Sequence, residues 1–254
     1  MNDSFSLAGR RILITGAASG MGRSFAELAA ADGAHVGLLD MNAAGLDETL
    51  AGLEGDGRRI AVTVDLSEWL ATEAAVAQVR DTLGGFDAIC NIAGWDAPGK
   101  FWEQPYEMWQ RLISINLWST LHVCRATVPD LVAQESGTIV NVASDAGRVG
   151  SKGETIYAAA KGGVMAFTKS AARELAPHRV TVNCICPGPT LTPLLEQEMI
   201  DNPKLIEKLI RAIPLRRAAD PVEQARVIAF FASDAAGYCT GQILSVSGGL
   251  TMVG

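Results

Sequence analysis

The chain reads as an α/β protein with one doubly wound parallel sheet and helices on both of its faces. Three observations carry that expectation. Short aliphatic runs alternate along the chain with longer segments of helical spacing. Nearly every short run is apolar on both faces, as the strands of a covered parallel sheet must be. No Pro/Gly/Ser stretch is long enough to serve as a linker between domains, so residues 1–254 are taken as a single domain.

In order, strands are expected at Ile12–Thr15, His35–Asp40, Ile60–Asp65, Ala88–Ala93, Thr138–Ser144, Val180–Cys186 and Ile243–Val246. Helices are expected at Gly22–Asp32, Leu70–Leu83, Trp109–Ala133, Ile156–Ala176 and Pro221–Ala232. They supply the crossovers that parallel strands require. The stretch 188–215, crowded by Pro189, Pro193, Pro203 and Pro214, is expected to be an irregular excursion that covers a site.

With 48% apolar and 19% charged residues, the 254-residue chain can bury a large core. A net charge of −7 with scattered Lys and Arg gives no footprint for a polyanion, so nucleic acid is not expected as a partner. The opening MNDSFSLAGRR has no basic-then-apolar leader, and no run approaches the roughly 18 apolar residues of a membrane span. A cytoplasmic protein without a membrane partner is expected. Five cysteines show no metal-ligand spacing, so no metal site is expected. Cys184 and Cys186 share one strand face, where buried packing outweighs redox chemistry.

The segment TGAASGMG, from Thr15 to Gly22, follows the first strand and opens the first helix. Unsatisfied N–H groups and the helix dipole favour an anion at such a junction, and glycines at 16, 20 and 22 admit a pyrophosphate. An ordinary glycine-rich turn is the rival reading. Asp40, closing the second strand, can accept both hydroxyls of an adenosine ribose and repels a 2′-phosphate. Met41 and Asn42 supply no cation there, so NAD is expected over NADP. Asp65 would lie near an adenine, or would accept the amides of Leu66-Ser67.

Tyr157 and Lys161 stand four residues apart in a helical segment, so phenol and ammonium share a face. A nearby cation lowers a phenol pKa that starts near 10, which would make Tyr157 an acid or base. Alone, the pair could arise by chance. Ser144 ends a strand at the carboxyl edge where ligands of open sheets gather. Asn116 is a polar residue in an apolar helical run, and either fills a kink or holds a partner such as water.

Together these motifs resemble the short-chain dehydrogenase/reductase family, with a Rossmann-like sheet, over about Arg10 to Gly249. The glycine motif is matched by Thr15, Gly16, Gly20 and Gly22, the catalytic tetrad by Asn116, Ser144, Tyr157 and Lys161, and the nicotinamide-side Pro-Gly by Pro187 and Gly188. The resemblance implies that Tyr157 exchanges the proton with the substrate oxygen while Ser144 steadies that oxygen. Lys161 would tune the phenol and hold the nicotinamide ribose, and Asn116 would keep a water in the proton relay. Ser19 and Met21 belong to the phosphate loop, Asp65 and Leu66 meet the adenine, and Asn91, Ala93 and Gly94 line the cofactor. Thr190 or Thr192 anchors the carboxamide. Two departures stand out: Asn91-Ile92-Ala93-Gly94 lacks the usual second Asn, and Ser247 stands where Asp is frequent.

The implied function is NAD(H)-dependent interconversion of a secondary alcohol and a ketone. Two alternatives stand beside it: an NADPH-dependent 3-oxoacyl thioester reductase, and a non-catalytic cofactor-binding regulator. Trp95, Phe101, Trp102, Leu191, Leu194, Leu195 and Met199 are expected around the substrate or as glue for its cover, favouring an apolar or cyclic substrate. Arg148 and Lys152 either meet an anionic handle such as coenzyme A or are solvated. The stretch Ser144 to Tyr157, with Pro187 to Thr190, is similar to dehydrogenases of alicyclic 2-hydroxyacyl-CoA thioesters. A homotetramer is expected from the apolar helices around Trp109–Ala133 and Ile156–Ala176.

Overall fold

Seven strands, β1 (Arg11–Thr15), β2 (His35–Asp40), β3 (Arg59–Thr63), β4 (Ala88–Asn91), β5 (Gly137–Val142), β6 (Val180–Pro187) and β7 (Ile243–Val246), pair in parallel in the order β3-β2-β1-β4-β5-β6-β7. The computed structural model describes residues 4–253, and Met1–Asp3 of the opening segment lie outside them. The central strands are buried along both faces, whereas the edge strands β3 and β7 are only half-buried. That is the pattern of a sheet covered on each side.

Among the described residues, ten helices clothe it: α1 (Gly20–Ala31), α2 (Ala43–Gly52), α3 (Trp69–Leu83), α4 (Tyr106–Ile113), α5 (Ser119–Ala133), α6 (Ala146–Val149), α7 (Thr155–Leu175), α8 (Pro193–Asp201), α9 (Pro203–Ala212) and α10 (Pro221–Ala232). Alternation along each strand splits the core in two. Ile12, Ile14, Val36, Leu38 and Val140 face Phe25 of α1 and Ile228 of α10. Leu13, Leu39, Ile89 and Ile139 face Val79 of α3 and Val123 of α5. Each such fully buried side chain contributes about 1.5–3 kcal/mol of transfer free energy.

The structure departs from the expected elements in three places. AAGLDETLAG forms α2, capped by Asn42, whose side chain accepts the Gly45 N–H at 3.1 Å. The excursion 188–215 is not irregular, for it contains α8 and α9. Pro193 and Pro203 stand in the first turns of these helices, where the missing N–H costs nothing. The long helix expected over Trp109–Ala133 is real but widened over Ser114–Trp118, because Asn116 Nδ2 takes the Leu112 carbonyl at 2.9 Å.

Cys184 and Cys186 are both buried, packed with Ala143, Val164 and Met165. Among the described residues, no helix is long and apolar enough to cross a membrane.

Candidate active site

The strand order reverses between β1 and β4, and the crevice above their carboxyl ends is where an open sheet binds ligands. Two adjoining cavities occupy it. One, of about 340 Å³, runs from the α1 N-terminus past Asp40 to Asp65 and Leu66. The other, of about 1420 Å³, lies between Ser144, Tyr157 and the α8–α9 cover. Met21, Gly94, Trp95 and Thr192 line both.

The first cavity suits a dinucleotide. Ser19 makes no side-chain cap to α1, which leaves the first-turn N–H groups of that helix to an anion. Gly16, Ser19, Gly20, Met21 and Gly22 line the groove beside them. The glycines also answer to the protein itself. A Cβ on Gly22 would lie 2.0 Å from the Gly16 carbonyl oxygen, and one on Gly16, at φ +68°, would lie 2.9 Å from the Ala93 backbone. Close packing of loop, helix and β4 therefore demands bare backbone as strictly as a pyrophosphate would.

Asp40 sits at the far end of this groove with its carboxylate held in place. One oxygen accepts the Ala18 N–H at 3.1 Å and the other the Asn42 N–H at 2.9 Å. The neighbouring cation Arg23 is spent on Ala18 O, Thr49 Oγ1 and Glu48, and does not line the groove. Asp65 accepts from the Ser67 N–H at 2.9 Å, as an acceptor for helix amides does, and still lines the groove with Leu66. Ala93 and Gly94 line it as well.

Two residues expected against the cofactor, Thr15 and Asn91, line neither cavity. The Thr15 hydroxyl is buried, accepting the Ile92 and Ala93 N–H groups at 2.9 and 3.0 Å, and so shapes the loop after β4. Asn91 turns inward: its Nδ2 donates to Asn141 Oδ1 at 2.9 Å and to Cys124 Sγ at 3.3 Å. Strand alternation explains this, since Asn91 is the last residue of β4 and points into the core on the α5 side.

In the second cavity, the turn after β5 carries Ser144 and the first turn of α7 carries Tyr157, and both side chains line the same space. One helical turn on, the Lys161 ammonium lies 5.7 Å from the Tyr157 ring centre and donates to the Val142 carbonyl at 3.0 Å. It sits over the ring rather than at the hydroxyl. Burial pushes the Tyr157 phenol above its ordinary value, the charge of Asp96 pushes further, and the Ser144 hydroxyl works against both. The expected lowering by the neighbouring cation is not what the protein alone produces. Burial instead brings Lys161 down to about 8.

Asn116 lies behind this pair, fully buried, and its carboxamide grips Trp95: Oδ1 accepts the Trp95 N–H at 3.1 Å and Nδ2 donates to the Trp95 carbonyl at 2.6 Å. Gly94 is wedged between the two tetrad members, because an added Cβ would stand 3.0 Å from Lys161 Nζ and 3.1 Å from Asn116 Oδ1. Pro187, Gly188, Thr190 and Thr192 close the cavity from the β6 side. The Thr190 hydroxyl is engaged with Gly188 O and Gln224, whereas Thr192 lines both cavities. Ser247 packs against Gly188 and accepts the Thr251 N–H at 3.1 Å.

Of the apolar residues expected around the substrate, Trp95, Phe101, Trp102, Leu194 and Leu195 line the cavity, but Leu191 and Met199 do not. Leu205, Ile206 and Leu209 of α9 take their place. Arg148 is not at the entrance: it points inward, donating to the Ile243 carbonyl at 2.9 Å and facing Asp145 at 3.6 Å. Lys152, four residues on and beyond the end of α6, lines the cavity. Asp96 lines the cavity unforeseen. An acid among the small and apolar residues following the fourth strand, Gly94-Trp95-Asp96-Ala97-Pro98, was the available signal.

An uncapped helix end at a sheet's switch point, beside a cavity that gathers Ser144, Tyr157 and Lys161, suits a nucleotide-dependent oxidoreductase, and comparison with known proteins gives the class. The family profile described as "Enoyl-(Acyl carrier protein) reductase" matches residues 16–251. The 3-oxoacyl-[acyl-carrier-protein] reductase FabG of Chlamydia pneumoniae is 34% identical over 249 residues, covering 97% of this chain and 98% of the relative. A putative short-chain alcohol dehydrogenase from Sinorhizobium meliloti 1021 superposes with a TM-score of 0.92 at 31% identity, over 97% of this chain and 98% of that one. Levodione reductase gives 0.91 at 30%, over 96% and 98%. The chain belongs to the short-chain dehydrogenase/reductase family of nicotinamide-dependent oxidoreductases.

Proposed function

We propose that the protein interconverts a secondary alcohol and a ketone with NAD(H), on a substrate with an apolar or ring-bearing body. The observation that carries this is the gathering of Ser144, Tyr157 and Lys161 in one cavity that adjoins the groove at the start of α1. Tyr157 passes the proton to or from the substrate oxygen, and Ser144 steadies that oxygen. Lys161 holds the nicotinamide ribose, and Asn116 fixes the wall through Trp95. When bound, the nicotinamide supplies or takes the hydride. NAD is chosen over NADP because Asp40 would meet the adenosine ribose, while Arg111, the cation lining the same groove, is engaged over the Trp95 ring.

A 3-oxoacyl thioester reductase is the second reading, favoured by the similarity to FabG and opposed in its NADPH form by Asp40. With Arg148 turned inward, a coenzyme A handle keeps Lys100 and Lys152 at the mouth. A non-catalytic regulator fits poorly, because the phenol, hydroxyl and amine are all present and assembled. Assembly as a homotetramer through the outer faces of α4, α5 and α7 belongs to the same reading, supported by Trp118, which is 49% exposed. Light scattering tests it.

Mixing purified protein with NAD or NADP and a panel of cyclic, apolar and acyl-CoA alcohols, and following reduced-nicotinamide absorbance, separates the readings. Turnover with NAD on apolar alcohols is expected. Preference for NADP and the acyl thioester selects the second reading, and silence with every substrate overturns both.

A further inference from the structure

The substrate cavity carries a carboxylate where the reaction needs none. Asp96 stands two residues beyond Gly94, on a segment that cannot drift. Asn116 holds Trp95 from both sides of its backbone, and the Trp95 ring lies under Arg111, whose guanidinium carbon is 4.3 Å from the ring centre. The Gln104 side chain donates to the Ala97 carbonyl at 2.7 Å. The Gly99 N–H donates to the Gly153 carbonyl at 2.8 Å, which ties this segment to the loop carrying Glu154. Two chain segments are thus cross-linked so that Asp96 and Glu154 face one cavity, and α8 adds Glu198 from above.

Cations face the same cavity, but not at the same depth. Lys100 is 62% exposed along its side chain and paired with Glu103, and Lys152 is exposed at the rim. Lys161 is buried and gives one of its three N–H groups to the Val142 carbonyl. Asp96 and Glu154 are half-buried, deeper than the two exposed lysines. Burial first, then Glu154 and Glu198, brings Asp96 up to about 6, and burial raises Glu154 as well. Asp96 shares the cavity with Tyr157 and Lys161, and its charge acts on both. A negative wall held rigidly beside the Ser144–Tyr157 pair, with Trp95 and Phe101 in the same lining, suits a cation.

We propose that Asp96 sets the substrate class: the cavity takes an alcohol or ketone that bears a protonated amine next to the reacting carbon, on an apolar or aromatic body. This rests on the alcohol–ketone reading above. The carboxylate of Asp96 pairs with the ammonium, Glu154 supports it, and the same wall repels substrates with a carboxylate at that position.

Three alcohols of nearly one shape test it at neutral pH: phenylethanolamine (ammonium), ethyl phenyl carbinol (neutral) and mandelate (carboxylate). Binding to the protein with reduced cofactor is measured by calorimetry, and oxidation by nicotinamide absorbance. The ammonium compound is expected to bind at least about tenfold more tightly than the neutral one, and mandelate more weakly than either. Asp96→Asn is expected to cut the ammonium-to-neutral ratio by about tenfold, a ratio that general damage to the fold does not move. Equal binding of the first two, binding that favours the neutral or carboxylate compound, or no binding of any at millimolar concentration overturns the proposal. Preferred binding of the ammonium compound without turnover of any keeps it and sinks the dehydrogenase reading. Turnover that prefers the neutral alcohol does the reverse.

Discussion

Asn116 closes both ends of one residue's backbone, accepting from the Trp95 N–H at 3.1 Å and donating to the Trp95 carbonyl at 2.6 Å. No other side chain could do this from a helix without an amide's paired donor and acceptor. The bulge in the helix is the local cost of aiming it there. Asn116→Leu keeps the volume and removes all three hydrogen bonds of the carboxamide. It should lower stability by about 2–4 kcal/mol, because buried backbone groups are left unpaired. It should also loosen the Trp95 wall, visible as a red-shifted tryptophan emission and a raised KM. An unchanged melting temperature and KM would remove this residue from the architecture of the site.

Among the described residues Tyr157 is the only phenol in the cavity, which it shares with Ser144, and it is pushed upward first by burial and then by Asp96. A raised pKa keeps the proton on at neutral pH, the form that donates to a ketone oxygen. Ketone reduction should therefore hold its rate through neutral pH, whereas alcohol oxidation, which needs the phenolate, should climb as pH rises. Tyr157→Phe should remove about a hundred- to ten-thousand-fold of turnover in both directions while cofactor affinity stays nearly intact. Wild-type rate in that variant refutes the assignment.

Asp40 is oriented by two backbone N–H groups before any ribose arrives. Asp40→Asn keeps an acceptor and removes the charge, and Asp40→Ala removes both. The preference for NAD over NADP should narrow by about tenfold or more in each, measured as the ratio of cofactor dissociation constants. Asp40→Ala should also lose about 1–3 kcal/mol of stability from the orphaned amides, which Asp40→Asn should largely retain. A ratio indifferent to both changes would transfer cofactor choice elsewhere.

Lys161 is buried and its amine titrates at about 8 in the fold, against 10.5 ordinarily. Between those values the unfolded chain binds the extra proton, so the lysine's penalty on stability shrinks as pH rises through that window. Below about 8 the penalty is present in full, on the order of 3 kcal/mol. Lys161→Met should abolish most turnover yet raise the melting temperature at neutral pH, with the gain fading toward pH ~10. A gap between the two proteins that does not vary with pH would contradict this.

The fold is legible because strands such as Ile12-Leu13-Ile14 and Ile139-Val140 have no polar face, which only a covered sheet tolerates. Helix α2 is not, since AAGLDETLAG buries only Gly45, Leu46 and Thr49 and shows no apolar stripe. The cover misleads for a different reason: proline halts a helix from within and begins one from its first turn, and Pro193 and Pro203 do the second. In the site, residue types at fixed spacing place Tyr157, Lys161 and Ser144 in one cavity. The direction of a side chain is harder to read. Asn91 and Arg148 turn inward because of strand parity and helix phase, which depend on where an element ends to within one residue.

Gly20 faces two ways at once: at φ +52° it lies among the residues lining the groove at the start of α1, and a Cβ there would stand 3.0 Å from the Thr192 methyl group at the foot of the cover. Enlarging that single position would crowd the entrance to α8 and the anion's seat together. The floor of one compartment and the doorstep of the other are a single atom, so neither can be redesigned without trespassing on its neighbour.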